Sequence, residues 1–253
     1  MKRFSPDQQG TGAFDGGRIT EVKPIGFPHE RSGAGRIGPL FYWAWATAKG
    51  YGKIRLHPHR GFEIMSYVLK GEIGHRDTLG TVSRVKTGGA QVMQTGSGVS
   101  HEEETLGDQT EFFQIWFEPD LQEAVKRPPT YREFHHQDFP VSSKNGVSTK
   151  SIIGPGSPIS LVAPVAMQEI TLSPGKSLVR TVTKGNGLAA LIIDGEGSWS
   201  ASASKEQLSV RTGDFAVIQA NVETELALQA AGKKPFRAAI VEVPVTVSYP
   251  LYS

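Results

Sequence analysis

The sequence predicts an all-β chain made of two related β-domains, and three observations carry that prediction. Its apolar runs are short, alternate with polar residues and end at turn-forming glycines. Its 29 Gly and 16 Pro are spread along all 253 residues, which leaves little room for long helices. Two segments of the first half also recur in the second half at almost one spacing.

Taken in order, residues 41–46 (FYWAWA) alternate, and Trp43 and Trp45 read as packing in the core or at a barrel mouth. Strands are expected at 64–69 before Lys70-Gly71, at 90–93 after Gly88-Gly89, and at 112–117. The one helix candidate is 121–126, stopped by Pro128-Pro129, and the polar stretch from there to about residue 140 reads as a connector. Val68-Leu69-Lys70-Gly71-Glu72 returns as Ile192-Ile193-Asp194-Gly195-Glu196 at an offset of 124. Thr87-Gly88-Gly89 returns as Thr212-Gly213-Asp214 at 125. The repeat sets the expected domains at 1–135 and 136–253.

Composition narrows the function. The formal net charge is +2 with no run of five basic residues, so no nucleic-acid surface is expected. The chain has no cysteine, which excludes disulfides, thiolate nucleophiles and Cys-bound zinc and suits the cytoplasm. The first residues lack the apolar core of a secretory signal, and no run approaches 18 apolar residues, so no membrane association is expected.

The chemistry sits in two clusters. In LHPHRGFE (56–63), His57 and His59 stand two apart in an extended run, so they share a face while Pro58 turns away. In GSGVSHEEE (96–104), His101 and Glu103 share a face by the same rule, and Glu102 and Glu104 point to solvent. Three imidazoles and a carboxylate suit a borderline divalent transition ion better than Mg²⁺ or Ca²⁺. Glu63 has the parity to join them. His75 reads as a structural hydrogen-bonding residue, and His29, His135 and His136 as surface. The repeat maps His57 and His59 to Thr181 and Thr183, and His101 and Glu103 to Leu226 and Leu228. One metal per chain is therefore expected, in the first barrel.

These residues resemble the two motifs of the cupin superfamily. More narrowly, HPHRGFE, the spacing Tyr67-Val68-Leu69-x-Gly71-x-x-x-His75-x-Asp77, Gly96-x-Gly98-x-x-His101-x-Glu103, Gln114-Ile115-Trp116 and Pro129-x-Tyr131 are similar to pirins. Among pirins the chain is most similar to short bacterial members described as quercetin 2,3-dioxygenases. The likeness is specific over 57–131 and diffuse beyond about 140. It implies a bicupin, two double-stranded β-helix (jelly-roll) barrels packed face to face. It also implies His57, His59, His101 and Glu103 as ligands of one divalent ion, iron ahead of zinc, nickel, manganese, copper or cobalt, with Glu63 behind them. The implied reaction is cleavage of a flavonol-like enol by O₂, with Glu103 or Glu63 taking the hydroxyl proton. The alternative it implies is a non-enzymatic, iron-dependent regulator that binds a transcription factor or an enzyme subunit. A third reading is a structural zinc site.

Overall fold

A computed structural model describes residues 1–203 and 207–252. The chain is nearly all β and divides into two compact units, each a two-layered antiparallel barrel. The first unit comprises Gln9–Asp138 with Leu161–Ala163 and Tyr249–Ser253; the second comprises Phe139–Ser160 and Pro164–Ser248 with Met1–Gln8. Unlike the contiguous segments 1–135 and 136–253 expected from the repeat, each unit also includes a segment from the opposite end of the chain. The strand Lys2–Phe4 pairs with Phe215–Gln219, an edge pairing made by backbone groups, for which KRF carries no hydrophobic signal.

In the first unit two long strands, Glu63–Asp77 and Val99–Phe117, run through both layers. Their outer halves pair Glu63 with Phe117 and Ser66 with Gln114; their inner halves pair His75 with Glu103 and Asp77 with His101. The change of layer occurs at register shifts around Lys70–Glu72, where Gly71 takes φ 78°. A Cβ there would stand 2.3 Å from the carbonyl oxygen of Gln109, so both the backbone angle and the close approach require glycine. The strand Gly52–His59 forms an edge against Val99–Phe117, and Val82–Lys86 adds to Glu63–Asp77.

The repeat read in the sequence is a repeat of hydrogen bonds. Thr87 N donates to Gly71 O at 3.0 Å and Thr212 N to Gly195 O at 2.9 Å; Gly88 N donates to Val68 O at 2.7 Å and Gly213 N to Ile192 O at 2.8 Å. Gly195 takes φ 82°, matching Gly71. The second unit is packed around Trp199, Phe236, Leu226 and Leu228, all fully buried.

Two expectations change. The helix shrinks to Leu121–Ala124, opened by the Asp120 side chain accepting from Gln122 N. The connector contains a strand, Thr130–Phe134, which pairs with Ala90–Gln94. Among the described residues no helix is long and apolar enough to cross a membrane.

Candidate metal centre

Cross-strand register assembles the site. His57 lies directly opposite His101, and His59 lies opposite Val99 on the same pair of strands. Between Ile54 and His57 the register shifts, because three steps on the edge strand span two on its partner. This bulge leaves Arg55 and Leu56 exposed and turns both imidazoles inward. Pro58 costs no ladder bond on an edge strand.

The nitrogens of His57, His59 and His101 lie within 4.8 Å of one another. Their rings are 4.5 to 5.0 Å apart between centroids. Nδ1 of His57 sits 2.8 Å from the Arg55 carbonyl, which only accepts, so that nitrogen carries the proton and Nε2 keeps its lone pair. The Nε2 atoms of His59 and His101 are buried without a hydrogen-bond partner. Two buried orphan nitrogens beside a third free one fit a transition ion, which takes neutral imidazole. Burial, followed by the like charges of its neighbours, pushes His101 down to about 3 and His59 down to about 3. Both are therefore unprotonated and ready to ligate at neutral pH.

Glu103 is buried in the wall of the same cavity but is not among the donors that meet that limit. Its Oε1 accepts from Ser66 at 3.2 Å and from Gln91 at 2.8 Å, and its Oε2 accepts from Gln114 at 3.2 Å. Gln91, Ser66 and Gln114 are cross-strand neighbours that form one polar row on the opposite layer. Tyr131 donates to Gln91 Oε1 at 3.1 Å and fixes that amide's direction.

Glu63 is not brought to the site. Ser66 points inward to Glu103, and a residue three positions away in a strand faces the other side. The Glu63 carboxylate accepts from Val162 N at 2.7 Å, Ala163 N at 2.8 Å and Gln94 Nε2 at 2.6 Å. Burial raises its pKa against those bonds. Glu63 therefore anchors the segment 161–163, and its parity in the sequence was misleading.

His75 bonds Asp77 through Nε2 at 2.9 Å, as a structural histidine would, and also reaches His101, Nδ1 to Nδ1, at 3.4 Å. Glu102 and Glu104 face outward and pair with Lys53 at 2.8 and 3.4 Å.

The cavity in front of the histidines measures about 790 Å³. Phe27, Tyr42 and Trp116 form its aromatic side, and Trp116 meets the His59 ring edge-on at 4.8 Å. Trp43 and Trp45 instead pack on Phe113. Beside Tyr42, Lys23 pairs with Glu30 and, at 3.3 Å, with Glu21, whose carboxyl burial pushes upward. His29, read as surface in the sequence, lines the cavity and stacks on Phe27. Sequence reasoning missed Glu21, Lys23 and Tyr42, because ordinary strand polarity carries no sign of a shared cavity.

Residues 46–117, which hold all three histidines and Glu103, match the pirin family model. Over these residues the chain is similar to pirins. Pirin-like protein 2 of Arabidopsis thaliana is 34% identical over 153 residues, 58% of this chain and 47% of its own length. A Pseudomonas aeruginosa protein provisionally named as a quercetin 2,3-dioxygenase is 29% identical over 180 residues, 68% of this chain and 74% of its own. The chain spans about half the length of the plant pirins it matches. Among solved structures, a quercetin 2,3-dioxygenase from Acinetobacter baumannii superposes with TM-score 0.79 at 19% identity, covering 100% of this chain and 89% of that one. The Escherichia coli pirin YhhW in complex with nickel(II) gives TM-score 0.76 at 18% identity, covering 97% and 99%. At such identities these superpositions show the fold, a bicupin, and the residues that match the pirin model, 46–117, lie within its first unit.

Proposed function

We propose that the chain is a cytoplasmic, iron-dependent dioxygenase of the quercetin 2,3-dioxygenase type, acting on a flavonol-like enol with O₂. The observation that carries this reading is the cluster of three imidazoles, two with orphan buried Nε2 atoms, opening onto an aromatic-walled cavity. The naming of bacterial relatives points the same way. An open cavity in front of the donors favours catalysis over the regulatory alternative, which needs no room for a substrate.

His57, His59 and His101 would hold the ion, with Glu103 as the adjoining carboxylate. When bound, the ion supplies Lewis acidity toward a substrate oxygen and a template for O₂. Phe27, Tyr42 and Trp116 hold the planar rings of the substrate and exclude water. Glu103, kept in place by Ser66, Gln91 and Gln114, accepts the proton of the enol hydroxyl.

The test is anaerobic loading with iron(II) followed by quercetin and O₂, reading loss of flavonol absorbance and release of carbon monoxide. His101→Ala abolishes turnover in this reading. Equal, slow clearance by wild type and His101→Ala would reject it. Glu103→Gln keeps an oxygen donor but loses the basic carboxylate. Retained metal with lost turnover assigns Glu103 the proton step, and lost metal makes it the fourth ligand.

A further inference from the structure

We propose that Asp77 and His75 are positioning residues that fix His101 in the tautomer presenting its Nε2 lone pair to the ion. The inference rests on the reading of His101 as a ligand and goes beyond it to the groups that set its protonation pattern. A metal-binding imidazole must leave one nitrogen bare and protonate the other. For His57 the Arg55 carbonyl settles which. For His101 the neighbour of Nδ1 is another imidazole, His75 Nδ1, which can donate or accept. The tautomer of His101 is therefore decided one residue further away.

Asp77 decides it. Its Oδ1 accepts from Leu79 N at 2.9 Å and Thr81 N at 3.0 Å, which orients the carboxylate and leaves Oδ2 facing His75 Nε2 at 2.9 Å. Burial pushes the Asp77 carboxyl up, but the bonds from His75, Thr81 and Leu79 more than offset it, and the group stays ionised. An ionised carboxylate only accepts, so His75 carries its proton on Nε2 and a lone pair on Nδ1. That lone pair accepts from His101 Nδ1–H, and His101 Nε2 is left bare. Tyr131 stacks on the His75 ring at 4.2 Å and 22°, holding its plane. Strand register places Asp77 opposite His101 and His75 opposite Glu103.

Asp77→Asn tests the chain by running it backwards. The oxygen of the new amide is retained by the two backbone donors, so its NH₂ faces His75 Nε2 and donates to it. His75 then carries its proton on Nδ1 and donates to His101 Nδ1, which forces the His101 proton onto Nε2, where the ion would sit. The shape of the side chain is unchanged. Long-range ¹H–¹⁵N spectra of the metal-free protein, above the imidazole titration range, read both tautomers directly. Wild type shows Nδ1–H at His101 and Nε2–H at His75; Asp77→Asn shows both reversed. Nickel(II) titrated into the metal-free proteins binds about 10- to 100-fold more weakly to Asp77→Asn, the usual effect of losing a ligand's outer partner. His75→Phe, which removes the acceptor while preserving the stack on Tyr131, gives a mixture of His101 tautomers and a smaller loss.

A wild-type His101 protonated on Nε2 overturns the proposal. So does an Asp77→Asn protein that is less stable yet keeps its tautomers and nickel affinity, the outcome of a purely structural role. Neither readout uses turnover, so failure of the dioxygenase assay leaves this inference standing, and the reverse also holds.

Discussion

The metal-free site should make the protein sensitive to acid in a way that one substitution removes. His101 is 1% exposed and its imidazole is held down to about 3, against 6.5 for an ordinary histidine. Between those two values the unfolded chain binds a proton at this position and the native chain does not. Stability therefore falls as pH drops below 6.5, and the loss saturates near 3. At about pH 4.5, two units below the unfolded value, the loss from His101 is about 3 kcal/mol. His59 adds less, because its ring is partly exposed to the cavity. His101→Leu copies the residue that the second barrel carries at the repeat-related position, Leu226, and it cannot titrate. Urea unfolding of chelator-treated wild type and variant, at pH about 7.5 and about 4.5, gives the two differences directly. Wild type should lose about 3 kcal/mol more than the variant over this interval. Equal losses would show that His101 is protonated in the native state, and the account of the site's electrostatics would be wrong.

Three further outcomes are expected. Glu63→Gln sets an amide NH₂ against a backbone N–H of residue 162 or 163 and costs about 2–4 kcal/mol in urea unfolding, while metal content, read by elemental analysis, is unchanged; metal loss would return Glu63 to the site. Gly71→Ala and Gly195→Ala each meet a carbonyl oxygen, 2.3 Å away at Gln109 and 2.5 Å at Pro235, at positive φ. Each should destabilise by about 2 kcal/mol or more, read as a fall in urea midpoint, and a neutral result at either would refute the equivalence of the two turns. Trp116→Ala removes the ring beside His59 and should weaken flavonol binding by about tenfold in equilibrium titration, with nickel affinity retained.

Much of the site was legible because strand geometry is simple. Parity alone paired His57 with His59 and His101 with Glu103, and the lack of any histidine after His136 confined the candidate ligands to the first half of the chain. What parity could not supply was the position of a bulge. The shift at Arg55–Leu56 re-aims the histidine pair, and neither residue marks it. Glu63 misled for a related reason: its spacing from His59 crosses the turn at Gly61, so parity counted through that turn has no meaning. The donors to Glu103 were invisible because Ser66, Gln91 and Gln114 lie on three strands and only the register brings them into a row.

Comparison of the two barrels shows that the site is a set of residues that changes together on an unchanging frame. The turns at Gly71 and Gly195 keep the same hydrogen bonds, so the backbone scaffold does not depend on the histidines of the candidate site. The interior differs at both ends of one interaction. Where the first barrel has His101 and Glu103, the second has Leu226 and Leu228. Where the first has the row Gln91–Ser66–Gln114, the second has the row Ala216–Ala190–Ile240 in the same pairing. A buried carboxylate without donors costs several kcal/mol, and buried amides without an acceptor cost nearly as much. Neither half can therefore be lost or gained alone without a penalty that rivals the stability of a domain. The polar row is as much a part of this centre as the histidines, and it offers a sharper criterion than the HxH pair for deciding which barrel of such a chain can hold an ion.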